Sequence, residues 1–233
     1  MMERLRKRIR EVPRYGWIFA VVTYAIQMSS YYGGMFLTRL LGTNSWMFAP
    51  KIPFIDDRIP IVAVFVIPYL VSLPFWLGGT VMASLTEKRN FYTYVSGLWL
   101  AYLTGTLIFT FVPTCMDRVA EGLIRYSDRP GFFNFLFKVV YMSDGGNYGY
   151  CLFPSYHCMI SLFCYLGIRK RDEISKGTRI FTLVLTILIC MSTVFIKQHY
   201  FIDVVGGVTH AIVCYTIARK FDFATRFFGR FMK

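Results

Sequence analysis

Ser192-Thr-Val-Phe-Ile-Lys197-Gln-His199-Tyr-Phe-Ile-Asp203 separates two apolar runs, at about 180–196 and 201–218. Each run approaches the roughly 20 residues that cross about 30 Å of hydrocarbon. Working outward, four more such runs lie at about 17–40, 61–84, 91–113 and 151–168. With 55% hydrophobic residues and a mean hydropathy of +0.47, the chain is too apolar for an ordinary soluble domain. The first run is too long for a signal peptide and lacks a small-residue cleavage site. The expected fold is all-α: a polytopic membrane protein with six transmembrane helices in a bundle. Residues 1–16 read as a basic N-terminal tail, 17–220 as the membrane domain and 221–233 as a basic C-terminal tail.

The formal charge of +13 is unevenly spread. With the N-terminus cytoplasmic and six alternating spans, cytoplasmic segments hold 18 of the 26 lysines and arginines. This is the positive-inside pattern, and it places both termini in the cytoplasm. The expected location is the plasma membrane, with residues 170–178 inside and 118–147 on the outer or lumenal side. The stretch Arg4 to Arg10 suits anionic lipid headgroups. No nucleic-acid-binding fold accompanies the charge, so nucleic acid is excluded as a partner. The partners are the bilayer itself and a lipid substrate.

The connecting segments add detail. Gly131 to Tyr141 looks amphipathic and too short to cross, a short interfacial helix between the third and fourth spans. Asp56-Asp57 reads as a solvated turn rather than a metal site, since no histidine or further carboxylate accompanies it. The six cysteines show no metal-ligand spacing. Cys115 and Cys151 both fall near the outer surface, where a disulfide is open to them.

If Tyr200 onward is helical, His199 and Asp203 lie one turn apart on one face. The carboxylate can then hold Nδ1–H and leave Nε2 as nucleophile or base. An unpaired carboxylate in a membrane costs about 2.5–3.5 kcal/mol at the centre and less at the interface. A His–Asp pair that merely caps a helix is the bland alternative. A second histidine stands against it, in Pro154-Ser155-Tyr156-His157, where a helix start offers unpaired N–H groups and the Ser155 hydroxyl to an anion. Arg118, Ser155, His157, Lys197, His199 and Asp203 all fall at one membrane face. This set fits phosphate-ester chemistry without metal or cofactor. His199, backed by Asp203, attacks phosphorus, and His157 serves as acid and base. Arg118, Ser155 and Lys197 neutralise the phosphoryl oxygens. His210, about two turns deeper, reads as a packing residue.

These motifs resemble those of the phosphatidic acid phosphatase type 2 superfamily. Its Pro-Ser-Gly-His motif is matched by Pro154-Ser155-Tyr156-His157, with tyrosine for glycine. Its Ser-Arg, five residues, His, three residues, Asp motif is matched at Ser192, His199 and Asp203, with Thr193 at the arginine position. Its first motif, Lys, six residues, Arg-Pro, is degraded to Phe111, Arg118 and Val119; Arg129-Pro130 is the rival. The resemblance implies a membrane phosphatase acting through a phosphohistidine, in agreement with the roles above. Loosened signatures of this kind are also similar to the inositol phosphorylceramide and sphingomyelin synthases, which transfer a phospho-headgroup to a lipid alcohol. Three readings follow: a lipid phosphate phosphatase, a headgroup phosphotransferase, and a non-enzymatic transporter or pseudoenzyme.

Overall fold

The computed structural model describes residues 11–232, so the stretch Arg4 to Arg10 lies outside the described residues. In hydrocarbon every backbone N–H must find its acceptor within the segment, which makes apolar runs helical. The long helices are α1 (Arg14–Leu40), α3 (Val66–Ala83), α4 (Lys88–Phe111), α8 (Lys176–Phe195) and α9 (Phe201–Lys220), joined by the shorter α7 (Tyr156–Ile168). The segments Ala63–Ala83, Lys88–Phe111, Lys176–Phe195 and Phe201–Lys220 are long and apolar enough to cross a membrane. The all-α, membrane-type architecture is therefore as expected, with four of the six anticipated spans meeting both criteria.

The other two depart from a plain span for different reasons. At 27 residues α1 is about 40 Å long, but polar residues dilute its apolar character. Those residues point inward. Thr23 Oγ1 accepts from the Trp99 indole at 3.1 Å, Ser30 Oγ donates to the Tyr102 carbonyl at 3.0 Å, and Thr38 Oγ1 to that of Phe109 at 3.1 Å. Trp17, Val21 and Phe36 face outward instead. α1 is thus polar toward the bundle and apolar away from it, a pattern suited to lipid surroundings. α7, with 13 residues, is only about 20 Å long.

α4 is the central post, with α1, α9 and α10 (Phe223–Met232) packed along it. α7 sits among α3, α8 and α9. The segment 221–233, read from its charge as a tail, thus contains a helix folded onto the bundle. Phe228 inserts between Phe19, Tyr92 and Trp99, with ring centroids 4.8–5.9 Å away. Apolar residues at helical spacing supply that face, while Arg226 and Arg230 lie outside it.

The basic ends of the helices meet at one end of the bundle. There Arg89 pairs with Asp222 at 3.1 Å, and the Glu87 N–H donates to Glu173 at 3.1 Å. The opposite end carries short elements: α2 (Pro53–Asp56), α5 (Leu123–Ser127), α6 (Phe132–Ser143) and a two-stranded antiparallel sheet, β1 (Cys115–Asp117) with β2 (Tyr148–Tyr150). The helix expected at 131–141 is α6, whose 12 residues span about 18 Å. Cys115 and Cys151 are free thiols.

Candidate active site

The chain entering α7 is pinned before the site begins. Thr114 Oγ1 accepts from the N–H groups of Leu152 and Phe153, both at 3.0 Å. The Ser155 N–H then donates to the Asp203 carbonyl at 3.0 Å, tying the start of α7 to the first turn of α9. Gly207 lies against the Ser155 carbonyl, and a Cβ there would collide with it. Ser155 occupies the N-cap position of α7, but its hydroxyl is fully buried and has no protein partner. The first N–H groups of α7 consequently have no side-chain cap.

The turn before α9 is held by backbone bonds. The N–H groups of Gln198 and His199 both donate to the Thr193 carbonyl, at 2.9 and 3.1 Å. Tyr141 of α6 donates through its hydroxyl to the Ile196 carbonyl at 2.8 Å. Asp203 closes the turn by accepting the Tyr200 N–H at 2.9 Å. His199 Nδ1 stands 3.4 Å from Asp203 Oδ2, an ion-pair distance at which the ring meets no acceptor in hydrogen-bond geometry. Contacts of this kind commonly tighten only once a ligand is bound. Burial works against a charged His199 ring, but the Asp203 carboxylate outweighs it and moves the pKa above its ordinary value.

His157 faces this pair across a cavity of about 230 Å³, its ring centroid 5.9 Å from that of His199. Tyr69 stacks on His157 at 4.3 Å, and Trp76 lies 5.0 Å away. These rings fix the imidazole plane at the cavity wall. Tyr156, where the resembling motif has glycine, lines the same cavity and reaches into a notch over Gly105 of α4. Its hydroxyl bonds Ser30 Oγ at 2.6 Å. The larger residue therefore displaces neither neighbour of the motif.

Four of the six expected groups, Ser155, His157, His199 and Asp203, come together. Neither cation lines the cavity, although Arg118 keeps one donor without a partner among the described residues, its buried Nε. Arg118 is wholly buried beside β2. Its Nη1 donates to the carbonyls of Asp144, Gly146 and Tyr148 at 2.8–3.1 Å. Nη2 donates to Asp144 Oδ2 at 2.6 Å and Gln198 Oε1 at 2.8 Å. Gly149 is required alongside, because a Cβ there would stand 2.9 Å from Nη2. Arg129, the rival, lies over the Tyr126 ring. Of the two, Arg118 is the one wired to the His199 turn.

Lys197 sits on the opposite side of His199 from the cavity, donating to the Asp56 carbonyl at 2.7 Å; burial lowers its pKa. Thr193, at the motif's arginine position, is buried and donates to the Cys190 carbonyl, so it supplies no cation. His210 Nε2 lies 2.7 Å from Thr104 Oγ1, outside the cavity lining.

Three further residues belong to this site. Asp56, read as part of a solvated turn, is buried and accepts the N–H of Phe201 at 2.8 Å, capping α9 from 145 positions away. Asp144 is the carboxylate lining the cavity, held by Arg118 and by the Tyr31 hydroxyl at 2.6 Å. Gln198 links Arg118 to the residue before His199. Apart from the Ile52 N–H that Asp56 also accepts at 2.7 Å, their partners are so distant in sequence that no local spacing marks them.

The family model of the PAP2 superfamily matches residues 45–217, a span that includes every one of these groups except Tyr31 and Ser30. No curated protein and no solved structure gives a significant match. Family members are phosphatases and related phosphotransferases. From the helical membrane-type fold, the paired histidines at one end and this match over most of its length, the chain belongs to the PAP2 superfamily.

Proposed function

We propose that the protein is an integral membrane lipid phosphate phosphatase that works through a phosphohistidine at His199. The observation that carries this reading is the facing pair His157 and His199, with Asp203 behind the second ring, in one cavity. With Nδ1 directed to Asp203, Nε2 is the nitrogen left to act. Its lone pair forms the N–P bond as the P–O bond to the lipid alcohol breaks, and protonated His157 gives its proton to the departing oxygen. His157 then takes a proton from water, whose oxygen attacks phosphorus and returns the N–P electron pair to His199.

Phosphoryl oxygens need donors along this path. Ser155 offers a buried hydroxyl without a protein partner, beside the uncapped start of α7. Arg118 contributes once an oxygen of substrate takes the place of Asp144 Oδ2 on Nη2. Lys197 acts through its field from behind His199. In this reading no step requires a divalent cation.

Headgroup transfer to a lipid alcohol is the second reading. It is favoured by the cavity's charge: among the described residues Asp144 is the only acidic or basic one besides the histidines in its lining, and both terminal nitrogens of Arg118 are already engaged. A phosphodiester carries less charge to neutralise than a phosphomonoester. Purified protein given a panel of lipid phosphomonoesters and diesters separates the two, free phosphate marking hydrolysis and a new phospholipid marking transfer. An acid-labile phosphoprotein that persists in EDTA and is lost in His199→Ala supports the common mechanism. Undiminished turnover in folded His199→Ala would defeat it and favour different chemistry; no turnover on any lipid would favour the non-enzymatic reading.

A further inference from the structure

A second cavity, of about 240 Å³, adjoins the first at the same end of the bundle, and Tyr150 and Cys151 line both. Its remaining walls come from the end of α1, the following turn and the end of α4, including Met35, Arg39, Asn44, Met47 and Phe109. Two hydroxyls in the lining are already committed. Thr38 donates to the carbonyls of Gly34 and Phe109, and Thr114 accepts the N–H groups of Leu152 and Phe153. Arg39 and Asn44, both exposed at the mouth, make no side-chain hydrogen bond to another described residue.

No acidic residue lines this cavity, and among the described residues no carboxylate lies within ion-pair distance of Arg39. A cation in the last turn of α1 suits the helix dipole, which explains its sign but not the cavity beside it. A guanidinium presents five donors in a planar fork that matches phosphate oxygens. The neighbouring catalytic cavity has the opposite character, with Asp144 in its wall.

The axis of α1 sets the spacing. Tyr31 touches Asp144, and Arg39 follows eight residues later, about 12 Å further along the helix. This rise separates the backbone positions, while the two cavities themselves meet at Tyr150 and Cys151.

We infer that the Arg39 cavity is a second anion site, which takes a phosphate group borne by a lipid headgroup or free in solution. The assignment stands on this cavity and Arg39, and does not depend on His199 acting as a nucleophile. Native mass spectrometry of the detergent-solubilised full chain, titrated with phosphatidylglycerol, tests it. One lipid is expected to be retained, bound at least about tenfold more weakly in Arg39→Gln, the loss of roughly one charge-assisted contact. Arg58→Gln removes an exposed charge at the same end, where Arg58 lies over Phe54, and should leave binding unchanged. His199→Ala should also leave it unchanged, which separates this lipid from an occupant of the catalytic cavity. Displacement of the lipid by inorganic phosphate assigns the site to the phosphate group alone, whereas retention assigns it to the lipid headgroup. Equal weakening in the Arg39 and Arg58 variants, unaltered binding in Arg39→Gln, or loss in His199→Ala would overturn the inference.

Discussion

The two ends of the bundle use charge in opposite ways. Among the described residues, one end gathers most of the lysines and arginines and buries none of them, as in the Arg89–Asp222 pair. The other has fewer basic residues, but the buried charged side chains lie there: Asp56, Arg118 and Asp203, with His199 among them. A count of charges therefore points to one end, while the candidate site lies at the other. Solvated charge orients a chain in a membrane at little structural expense, whereas buried charge persists only where a full set of partners is built around it.

All-or-none labelling tests the contrast between the two ends most directly. A cysteine introduced at Asn134, on α6, should react with a membrane-impermeant thiol reagent in intact cells, and one at Ser175, before α8, should not. The motive is the division of basic residues between the ends. The reverse pattern would place the His157–His199 cavity against cytoplasmic lipid.

Asp203→Asn should come next in size, slowing turnover by roughly three to four orders of magnitude while the protein stays folded, because His199 loses the partner that sets its tautomer. The pH profile carries a second signature. Asp203 raises the His199 pKa, so its loss lowers that pKa. A nucleophilic His199 must be neutral, and the acidic limb of the profile should accordingly move to lower pH. A limb that stays in place would separate the pair from the rate-limiting step.

The third contrast concerns stability. Arg118→Ala strips the partner from Asp144 and leaves several carbonyls unbonded, and should cost about 3–5 kcal/mol in a denaturation series. Arg89→Ala, at the solvated end, should leave the unfolding midpoint where it is. Equal effects would remove the distinction between the two ends.

How much of this was legible in the sequence depends on distance along the chain. Runs of apolar residues announce helices because their signal is local. His199 and Asp203 are legible because one helical turn separates them, and Pro154 to His157 because they open a helix together. Arg118 is readable as a candidate, but its commitment to the carbonyls after α6 is not, since nothing local tells a buried arginine from a free one. Asp56 is a stronger case: its pairing with Asp57 suggests water, while its actual partner is the N–H of Phe201. α10 hides because basic residues on one face mask the phenylalanines on the other.

Tyr156 over Gly105 has an evolutionary corollary. The two positions behave as a single locus, since the phenol occupies the space that a Cβ at position 105 would need. Glycine at 156 would empty the notch and take one of the partners of the Ser30 hydroxyl, and alanine at 105 would force the ring to shift. A signature that insists on glycine between the serine and the histidine passes over this chain, in which the small residue on the facing helix makes room for the large one. A relative with a large residue at this position is expected to carry a small one at the position facing it.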